Sequence, residues 1–350
     1  MDAPPARKAK TLKDIAELAG VSVTTVSKVI NNYSDVSEST RAKVQAIINQ
    51  QAFCPDPVAS SLSGKASYSI GVILRYNPVW GLHHSFFYKV MFGLGRRLGQ
   101  SNYDCVVFPD AWLGEPVDYL EKCVRRRVDG VVLMGVDFDS PNLEALAQSD
   151  LPCLFIDIVG DSYPGNNGYF LAWDHQQGAC QAVDYLYALG HRKIGLLGGL
   201  PNTYPARSHR EAFKERLSDY GLPICEEWMV GDDFTEDSGY YAMQKILQQP
   251  TKPTAVVCQS DAAAVGALRT LERSGLKCPD DISIIGYDDI EICRYTHPAL
   301  TTIRQDTLLL GRLAADTIIA CIRDGSAPRE QILPVSLIVR DSCRRIESHA

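Results

Sequence analysis

The sequence predicts an α/β protein in which an N-terminal head of three short helices precedes a larger body built on parallel sheets. Two observations predict it. Residues 11–50 contain three short stretches with helical periodicity and cap signals, and from residue 68 onward β-branched runs alternate with amphipathic stretches. The 350 residues exceed one average domain, so several folding units are expected.

The head has the helix start and stop signals of a helix-turn-helix. Its first helix follows Thr11 and stops at Gly20, the second follows Ser22 and runs to about Ile30, and the third follows Ser37. Two helices joined by a tight turn containing glycine, with a third closing the core, place the second helix in the DNA major groove. An ordinary helical bundle with a solvated polar face has the same spacing and stays open as an alternative.

The second helix carries a polar face. Thr24, Lys28 and Asn31 lie on it, and Thr25 and Ser27 flank them. Short hydroxyl and amide side chains next to one long cation are the types that hydrogen-bond base edges and phosphates. This helix is therefore the candidate DNA-reading element.

A hinge is predicted between head and body. Two prolines, a short run of helix formers and a Gly/Ser-rich link follow the head, with Asp56 as cap and Pro57 at the first helical position. The run 58–63 is too short to be a stable helix alone. Once ordered it would expose Leu62, which could wedge between base steps in the minor groove. A plain linker is the alternative.

The body alternates strand and helix candidates. The strands are predicted at 70–74, 104–108, 130–133, 153–156, 193–197, 255–259 and 282–286. Helices are predicted at 86–100, 178–189, 208–220, 238–247 and 262–274. This order gives parallel sheets with right-handed crossovers, in which ligands bind beyond the carboxyl ends of the strands.

Polar and aromatic side chains cluster just past those strand ends. They are Arg75, Asp157, Ser260, Asp261, Asp288 and Asp289, with Trp173, Arg207 and Phe234 on nearby loops. Carboxylates and guanidinium groups bind vicinal hydroxyls, and flat aromatic faces cover the apolar side of a sugar ring. Each residue taken singly could instead cap a helix or form a surface ion pair, Asp261 especially. The set predicts a binding cleft for a small polar ligand.

The charge distribution fits one DNA-facing end. The chain carries a net charge of −7, yet residues 1–65 hold eight Lys/Arg against six Asp/Glu, and the remainder holds 27 against 36. A mildly basic head on an acidic body suits a protein that offers one end to nucleic acid.

Composition excludes several other classes. No apolar run approaches the roughly 20 residues of a membrane helix, and the N-terminus lacks the apolar region of a secretory signal, so a cytoplasmic protein is expected. The 11 cysteines are scattered without metal-ligand spacing, which predicts neither a disulfide framework nor a zinc site. No cofactor is expected.

The head and hinge resemble the lactose/galactose repressor family. TLKDIAELAGVSVTTVSKVINN, VSESTRAKV and PDPVASSLSGKAS followed by SIGVIL carry the resemblance in order and spacing. It implies that Val23, Thr24 and Lys28 read bases, that Thr25, Ser27 and Asn31 support phosphate contacts, and that Leu62 is the minor-groove wedge. Asp56 and Ser60 depart from the usual Asn and Arg, which implies a weaker hinge.

The body resembles the effector domain of the same family. KIGLLGG, ARSHREAF, TAVVCQSDAAAVGALRTL, DISIIGYDDI and HPALTTIRQD are its landmarks. The positions that the resemblance assigns to the effector cleft are Arg75, Asp157, Trp173, Arg207, Phe234, Ser260, Asp288 and Gln305. Ser260 and Arg75 depart from the residues frequent there, and Arg75 raises the hypothesis of an anionic ligand such as a phosphorylated or acid sugar.

The resemblance implies an α/β fold with a helix-turn-helix head at 1–54, a hinge at 55–67 and a two-lobed, periplasmic-binding-protein-like effector domain at 68–342, followed by a tail. The first lobe would comprise about 68–160 and 292–322, and the second about 161–291 and 323–342. Helix 86–100, with apolar Phe87, Val90, Met91, Leu94 and Leu98, is the candidate dimer interface, or alternatively internal core. The C-terminus has no heptad repeat, so a homodimer without a tetramerising zipper is expected.

The function implied is that of a transcription regulator, expected to repress catabolic genes. Its partners would be near-palindromic double-stranded operator DNA and a sugar or sugar-like effector. The alternatives are a sugar-binding protein without a transcriptional role and a carbohydrate-active enzyme. No phosphate-binding loop, nucleophile elbow or metal triad supports an enzyme, and GLGRRL lies inside a predicted helix, where a dinucleotide fingerprint does not belong.

Overall fold

A computed structural model describes residues 11–30, 33, 35–51, 53, 66–74, 85–109, 111–112, 115–116, 118–136, 141–159 and 168–346. The chain divides into two compact units, Met1–Ser67 and Tyr68–Ala350, called here the head and the body. Three predicted site residues, Asn31, Leu62 and Arg75, lie outside the described residues.

The head contains three helices, α1 (Leu12–Ala19), α2 (Val23–Ile30) and α3 (Glu38–Gln50). Thr11 and Asp14 form a capping box at the start of α1, which satisfies two backbone donors that the helix leaves unpaired. Gly20 closes α1 with a φ of 64°, a left-handed conformation that glycine adopts without a steric penalty. These caps fix the tight turn that sequence predicted between α1 and α2.

One small apolar core holds the three head helices together. Its buried members are Ile15, Ala16, Ala19, Val26, Val29, Val44 and Ile48. Every head helix contributes to it, so the helix-turn-helix pair and its third helix fold as one unit. So few large side chains give a small reserve of stability, because a short chain buries little apolar surface.

The body is built on two six-stranded sheets. The first has the order β13 (Glu330–Leu333), β7 (Gly168–Trp173), β6 (Cys153–Ile156), β5 (Gly130–Met134), β1 (Ser69–Leu74) and β2 (Asp104–Pro109). The second has the order β14 (Ser336–Ile338), β12 (Thr301–Arg304), β11 (Ser283–Asp288), β10 (Ala255–Cys258), β8 (Ile194–Leu197) and β9 (Met229–Val230). Only the β12–β14 pair within these sheets is antiparallel among the described strands. A two-residue ribbon pairs β3 (Ala111–Trp112) with β4 (Glu115–Pro116).

Helices connect the parallel strands. They are α4 (Ser85–Gln100), α5 (Tyr119–Arg126), α6 (Pro141–Gln148), α7 (His175–Ala188), α8 (Tyr204–Asp219), α9 (Glu236–Leu247), α10 (Asp261–Arg273) and α11 (Thr307–Asp324). This helix-covered arrangement explains why strands such as β5 and β8 are buried along their whole length. None of the described helices is long and apolar enough to cross a membrane.

The chain passes between the two sheets three times, after β7, after β12 and after β13. The lobe boundaries expected from sequence therefore need correction. Strand β7 belongs to the first sheet although residues 161–291 were assigned to the second lobe, and β12 belongs to the second sheet although 292–322 were assigned to the first. Strand β13 likewise belongs to the first sheet although 323–342 were assigned to the second lobe. Because β7, β12 and β13 escaped sequence prediction, each of the three crossings was placed one strand too early.

Helix α4 packs mainly inside the body. Phe87, Val90, Leu94 and Leu98 are buried in the core, and an added Cβ at Gly93 would lie 2.6 Å from the Leu308 carbonyl oxygen of α11. The expectation that these apolar residues form a dimer interface is therefore wrong for those four. The exposed apolar side chains of α4 are Tyr88 and Phe92, which stack with ring centroids 6.5 Å apart.

Candidate functional site

The first turn of α2 exposes two of the side chains that were predicted to read bases, Val23 and Thr24. Val26 and Val29 are buried against the other head helices, whereas Val23 is 43% exposed and Thr24 is exposed at the start of the helix. Thr25 is half-buried, and its hydroxyl lies 2.9 Å from that of Ser22. The first turn of α2 thus presents one apolar and one hydroxyl side chain to solvent.

Lys28 lies in the last turn of α2 and forms an ion pair with Asp35. The hydrogen bond from Lys28 is the main cause that lowers the pKa of Asp35. Both side chains are substantially exposed, so the pair is weak and can open toward a phosphate or a base edge. Ser27 is half-buried on the same helix.

A cavity lies between the carboxyl ends of the strands of the two sheets. It encloses about 850 Å³, part of it open to solvent. Its polar lining consists of Asp157, His175, Thr203, His209, Gln259, Ser260, Tyr287, Asp288 and Gln305. Three phenylalanine rings, those of Phe86, Phe87 and Phe234, line it as well. Among the described residues, no Lys or Arg lines this cavity.

One wall of the cavity is a hydrogen-bonded chain that joins the two sheets. Asp157 follows β6 of the first sheet, and its Oδ1 lies 3.2 Å from Nε2 of His175. Nδ1 of His175 lies 3.1 Å from the hydroxyl of Tyr287 on β11 of the second sheet. His175 lies directly after the first crossing between the sheets. The Asp157–His175–Tyr287 hydrogen bonds therefore connect this crossing to the strand ends of both sheets.

The second carboxyl group of the cavity, after that of Asp157, belongs to Asp288 at the end of β11. Its φ is 112°, and that of the next residue, Asp289, is 53°, both in the region that normally favours glycine. Asp289 is held by two arginines, with Oδ2 2.6 Å from Nε of Arg304 and Oδ1 2.5 Å from Nη2 of Arg340. This clamp fixes the strained backbone that directs Asp288 into the cavity.

Burial raises the pKa of Asp288 well above its ordinary value, and the nearby carboxylates of Asp261 and Asp157 raise it further. The charge of Lys89 on α4 acts weakly in the opposite direction. Gln305 donates a hydrogen bond of 3.4 Å from Nε2 to Oδ1 of Asp288. The carboxyl group is therefore poised to gain from any ligand donor that replaces its lost hydration.

His209 is 2% exposed and lines the cavity from α8. Neither ring nitrogen has a hydrogen-bond partner among the described residues, and burial lowers its pKa to about 3. Its ring meets that of Tyr287 edge to face, with centroids 5.2 Å apart. A buried polar group without a partner is costly, which makes the neutral imidazole a candidate hydrogen-bonding group for a ligand atom.

The structure brings together five of the eight cleft residues predicted from sequence: Asp157, Phe234, Ser260, Asp288 and Gln305. Ser260 caps α10, accepting a 3.0 Å hydrogen bond from the Ala263 backbone, and its hydroxyl also donates to the Phe234 carbonyl at 2.6 Å. It shapes the wall of the cavity more than it offers a free hydroxyl.

Two of the predicted residues lie elsewhere. Trp173 was expected on a loop but ends the buried strand β7, is 2% exposed and does not line the cavity. Arg207 was also expected on a loop, but α8 begins at Tyr204, so Arg207 lies in its first turn with an exposed side chain outside the lining. Pro205 in that turn explains the early start, because proline suits the first positions of a helix.

Sequence reasoning missed His175, His209, Gln259 and Tyr287. His209 follows Arg207 by two residues, and once α8 is known to begin at Tyr204, that spacing puts it on a different face of the helix. Tyr287 and Gln259 directly precede the predicted Asp288 and Ser260, so two consecutive residues line the cavity at the end of β11 and directly after β10.

The buried imidazole of His209 should make the body acid-sensitive. Its pKa is lowered on folding, so its stabilising contribution is complete above the unfolded value of about 6.5 and is lost as pH falls toward 3. At pH 5 the free energy of unfolding should be about 2 kcal/mol lower on its account than at pH 7.5. Urea unfolding of His209→Gln should show that much less loss between the two pH values. The exposed His297→Gln is the control, and an equal loss in His209→Gln and the wild type would refute the assignment.

Comparison with known proteins identifies both parts of the chain. Residues 11–56 match the family model described as bacterial regulatory proteins, lacI family. Residues 183–343 match the model of a periplasmic binding protein-like domain. A helix-turn-helix head joined to a ligand-binding body of this fold defines an effector-responsive DNA-binding regulator.

Relatives match over nearly the full length. The HTH-type transcriptional repressor PurR of Photobacterium profundum is 32% identical over 95% of this chain and 98% of its own. The probable repressor ExuR of Bacillus subtilis is 30% identical over 96% and 99%. The structure of the lac repressor dimer bound to operator and an anti-inducer superposes with a TM-score of 0.80 at 33% identity, covering 96% of this chain and 100% of the other. The chain belongs to the lacI family of bacterial regulatory proteins.

Family membership confirms the main expectations from sequence. The protein is a DNA-binding transcriptional repressor and not an enzyme, it forms dimers on operator DNA, and a small-molecule effector regulates it. The cavity between the two sheets is the candidate effector site, and α2 is the candidate reading helix.

Proposed function

We propose that the effector is a neutral, hydroxyl-rich small molecule of the sugar type, and that the protein uses it in the cytoplasm to control catabolic genes. The observation that carries the proposal is that Asp157 and Asp288 both line a cavity to which the described residues contribute no Lys or Arg. Asp157 and Asp288 can accept hydrogen bonds from ligand hydroxyl groups. The cavity already disfavours negative charge, since burial and the carboxylates of Asp261 and Asp157 raise the pKa of Asp288, and a phosphate or acid group would add to that charge.

The remaining lining supports a sugar as well. Gln259, Gln305 and the neutral His209 add acceptors and donors without charge, and His209 has both nitrogens available. Phe86, Phe87 and Phe234 supply flat apolar faces that suit the CH-bearing side of a sugar ring. A cellobiose complex of the regulator CelR superposes with a TM-score of 0.72 at 28% identity over 95% of this chain and 99% of that one.

Sequence raised the hypothesis that Arg75 indicates an anionic ligand, and Arg75 lies outside the described residues. The two carboxylates of the cavity favour the neutral ligand instead. An acid or phosphorylated sugar would need a cation in the wall of the cavity to offset its charge, and the described lining supplies none.

Isothermal titration calorimetry of the full-length protein tests the proposal. The panel comprises neutral mono- and disaccharides, the matching uronic acids, the matching sugar phosphates and free purine bases. We expect a neutral sugar to bind at least tenfold more tightly than its own acid or phosphate. Tighter binding of an acid, a phosphate or a purine base would overturn the proposal.

A further inference from the structure

We propose that the arginine triplet Arg125–Arg127, at the C-terminal end of α5, binds the phosphate backbone of the operator duplex. The head would recognise the base sequence of the operator, and the body would add a contact to the same duplex that does not depend on sequence. Three features of the described residues carry this inference: the position of the triplet, its exposure and the charge of the surrounding body.

The triplet lies at the edge where the chain enters the body. The neighbouring strands β1, β2 and β5 are parallel, with Ser69 paired to Asp104 and Ile70 to Gly130, so their N-terminal ends share one edge of the first sheet. Gly130, the first residue of β5, is only three positions after Arg127.

Contacts of Tyr68, the first residue of the body, fix this edge. Its backbone N–H donates a 2.7 Å hydrogen bond to Oδ2 of Asp129, and its ring centroid lies 5.6 Å from that of Tyr103. Asp129 is two residues after Arg127, which caps α5 in a left-handed conformation with a φ of 52°. The first residue of the body and the last arginine of the triplet therefore both lie within two residues of the Tyr68–Asp129 hydrogen bond.

The triplet is exposed and is the kind of side chain that holds phosphates. All three arginines are exposed, and the Arg125 side chain is 77% exposed, with Glu121 as an ion-pair partner at 3.6 Å. An exposed pair at this distance contributes little and opens readily. The guanidinium group forms bidentate hydrogen bonds with phosphate, which makes arginine the usual choice at such contacts.

Charge favours DNA as the partner. Residues 66–350 hold 27 Lys/Arg against 36 Asp/Glu, so three consecutive arginines are a local exception in an acidic body. The helix macrodipole favours cations at the C-terminus of any helix, including α5. It does not explain why three arginines lie at the end of the sheet where the chain enters the body. The chain that continues from the head enters the body at this edge, and exposed arginines are side chains that complement a polyanionic duplex.

Salt dependence of DNA binding tests the inference. The probes are two 40-base-pair duplexes, one carrying the operator selected from random DNA and one with that operator scrambled, titrated between 50 and 200 mM salt. The triple variant Arg125→Gln, Arg126→Gln, Arg127→Gln should reduce the slope of log affinity against log salt by about 0.9 for each phosphate that the arginines no longer neutralise, or 2 or more in total. Both duplexes should bind more weakly by a similar factor, because phosphates carry no sequence.

A matched variant separates direct phosphate binding from long-range charge. Lys245, Lys252 and Arg294 are exposed cations of the part of the body built on the second sheet, and changing all three to Gln alters the net charge equally. We expect that control to change the slope by less than 1. A triplet variant with the slope of the wild type or of the control would overturn the inference. Should the triple variant fold poorly, Arg126→Gln alone should still lower the slope by about 1 for each protomer of the bound dimer.

Discussion

Replacing Asp288 with alanine is expected to weaken effector binding at least a hundredfold while leaving operator binding without effector unchanged. Asp288 is held toward the cavity by the strained β11 terminus and the clamp of Arg304 and Arg340 on Asp289. Removing a buried hydrogen-bond partner costs about 1–3 kcal/mol for each ligand group left unpaired, and one carboxyl group can pair with two vicinal hydroxyls. Effector affinity is measured by calorimetry and operator affinity by fluorescence anisotropy.

Two further variants separate the removal of a ligand-binding group from misfolding. Asp280→Ala removes an exposed carboxylate from the loop before β11 and should leave effector affinity unchanged. Asp288→Asn keeps the shape of the side chain. The pKa of Asp288 is raised on folding, so the wild type loses stability as pH rises above the unfolded value of about 3.9. The Asn variant does not ionise, and its free energy of unfolding at pH 8 should therefore be higher than that of the wild type. Effector binding by Asp288→Ala at wild-type strength would exclude Asp288 from the site.

Replacing Val26 with aspartate is expected to abolish operator binding, with a loss of more than a hundredfold, and to leave the body intact. Val26 is 0% exposed at the centre of the small core shared by α1, α2 and α3. A buried, unpaired charge costs several kcal/mol, which exceeds the stability that a core of this size supplies. Operator affinity by anisotropy and thermal unfolding of the body by circular dichroism measure the two parts separately.

Leu18→Asp is the matched control for Val26→Asp. Leu18 is 56% exposed on α1, so the same negative charge enters the head without entering its core. The control should keep a folded head and lose only the modest affinity that one added negative charge near DNA removes. Equal operator affinity of the two variants would contradict the placement of Val26 in the core that positions α2.

The fold class was predictable because its signals are local. The caps at Thr11 and Ser37 and the glycine after α1 are written in short stretches of sequence, and the structure reproduces them. The β-branched runs that became β1, β5, β6, β8, β10 and β11 are buried on both faces, so they read as continuous apolar segments.

The details that escaped prediction depend on contacts between distant segments. Strand β7 is rich in aromatic residues and follows a stretch of Gly, Asn and Pro, and only its pairing with β6 and β13 identifies it as a strand. Trp173 and the lobe boundary were misplaced for that reason. His209 became a cavity residue because α8 begins at Tyr204 and because Tyr287, 78 positions later, packs against its ring. Neither the start of α8 nor the packing of Tyr287 can be predicted from the spacing of nearby residues.

Reciprocal linkage between the two sites tests the central claim most directly. An operator is first selected from random duplex DNA with the purified protein, and effector affinity is then measured by calorimetry with and without saturating operator. If the ligand in the cavity controls DNA binding, operator must change effector affinity by the same factor by which effector changes operator affinity. A near-palindromic operator and equal factors in both directions are the predicted result. An effector affinity that is identical with and without operator would contradict the claim that the cavity regulates the head.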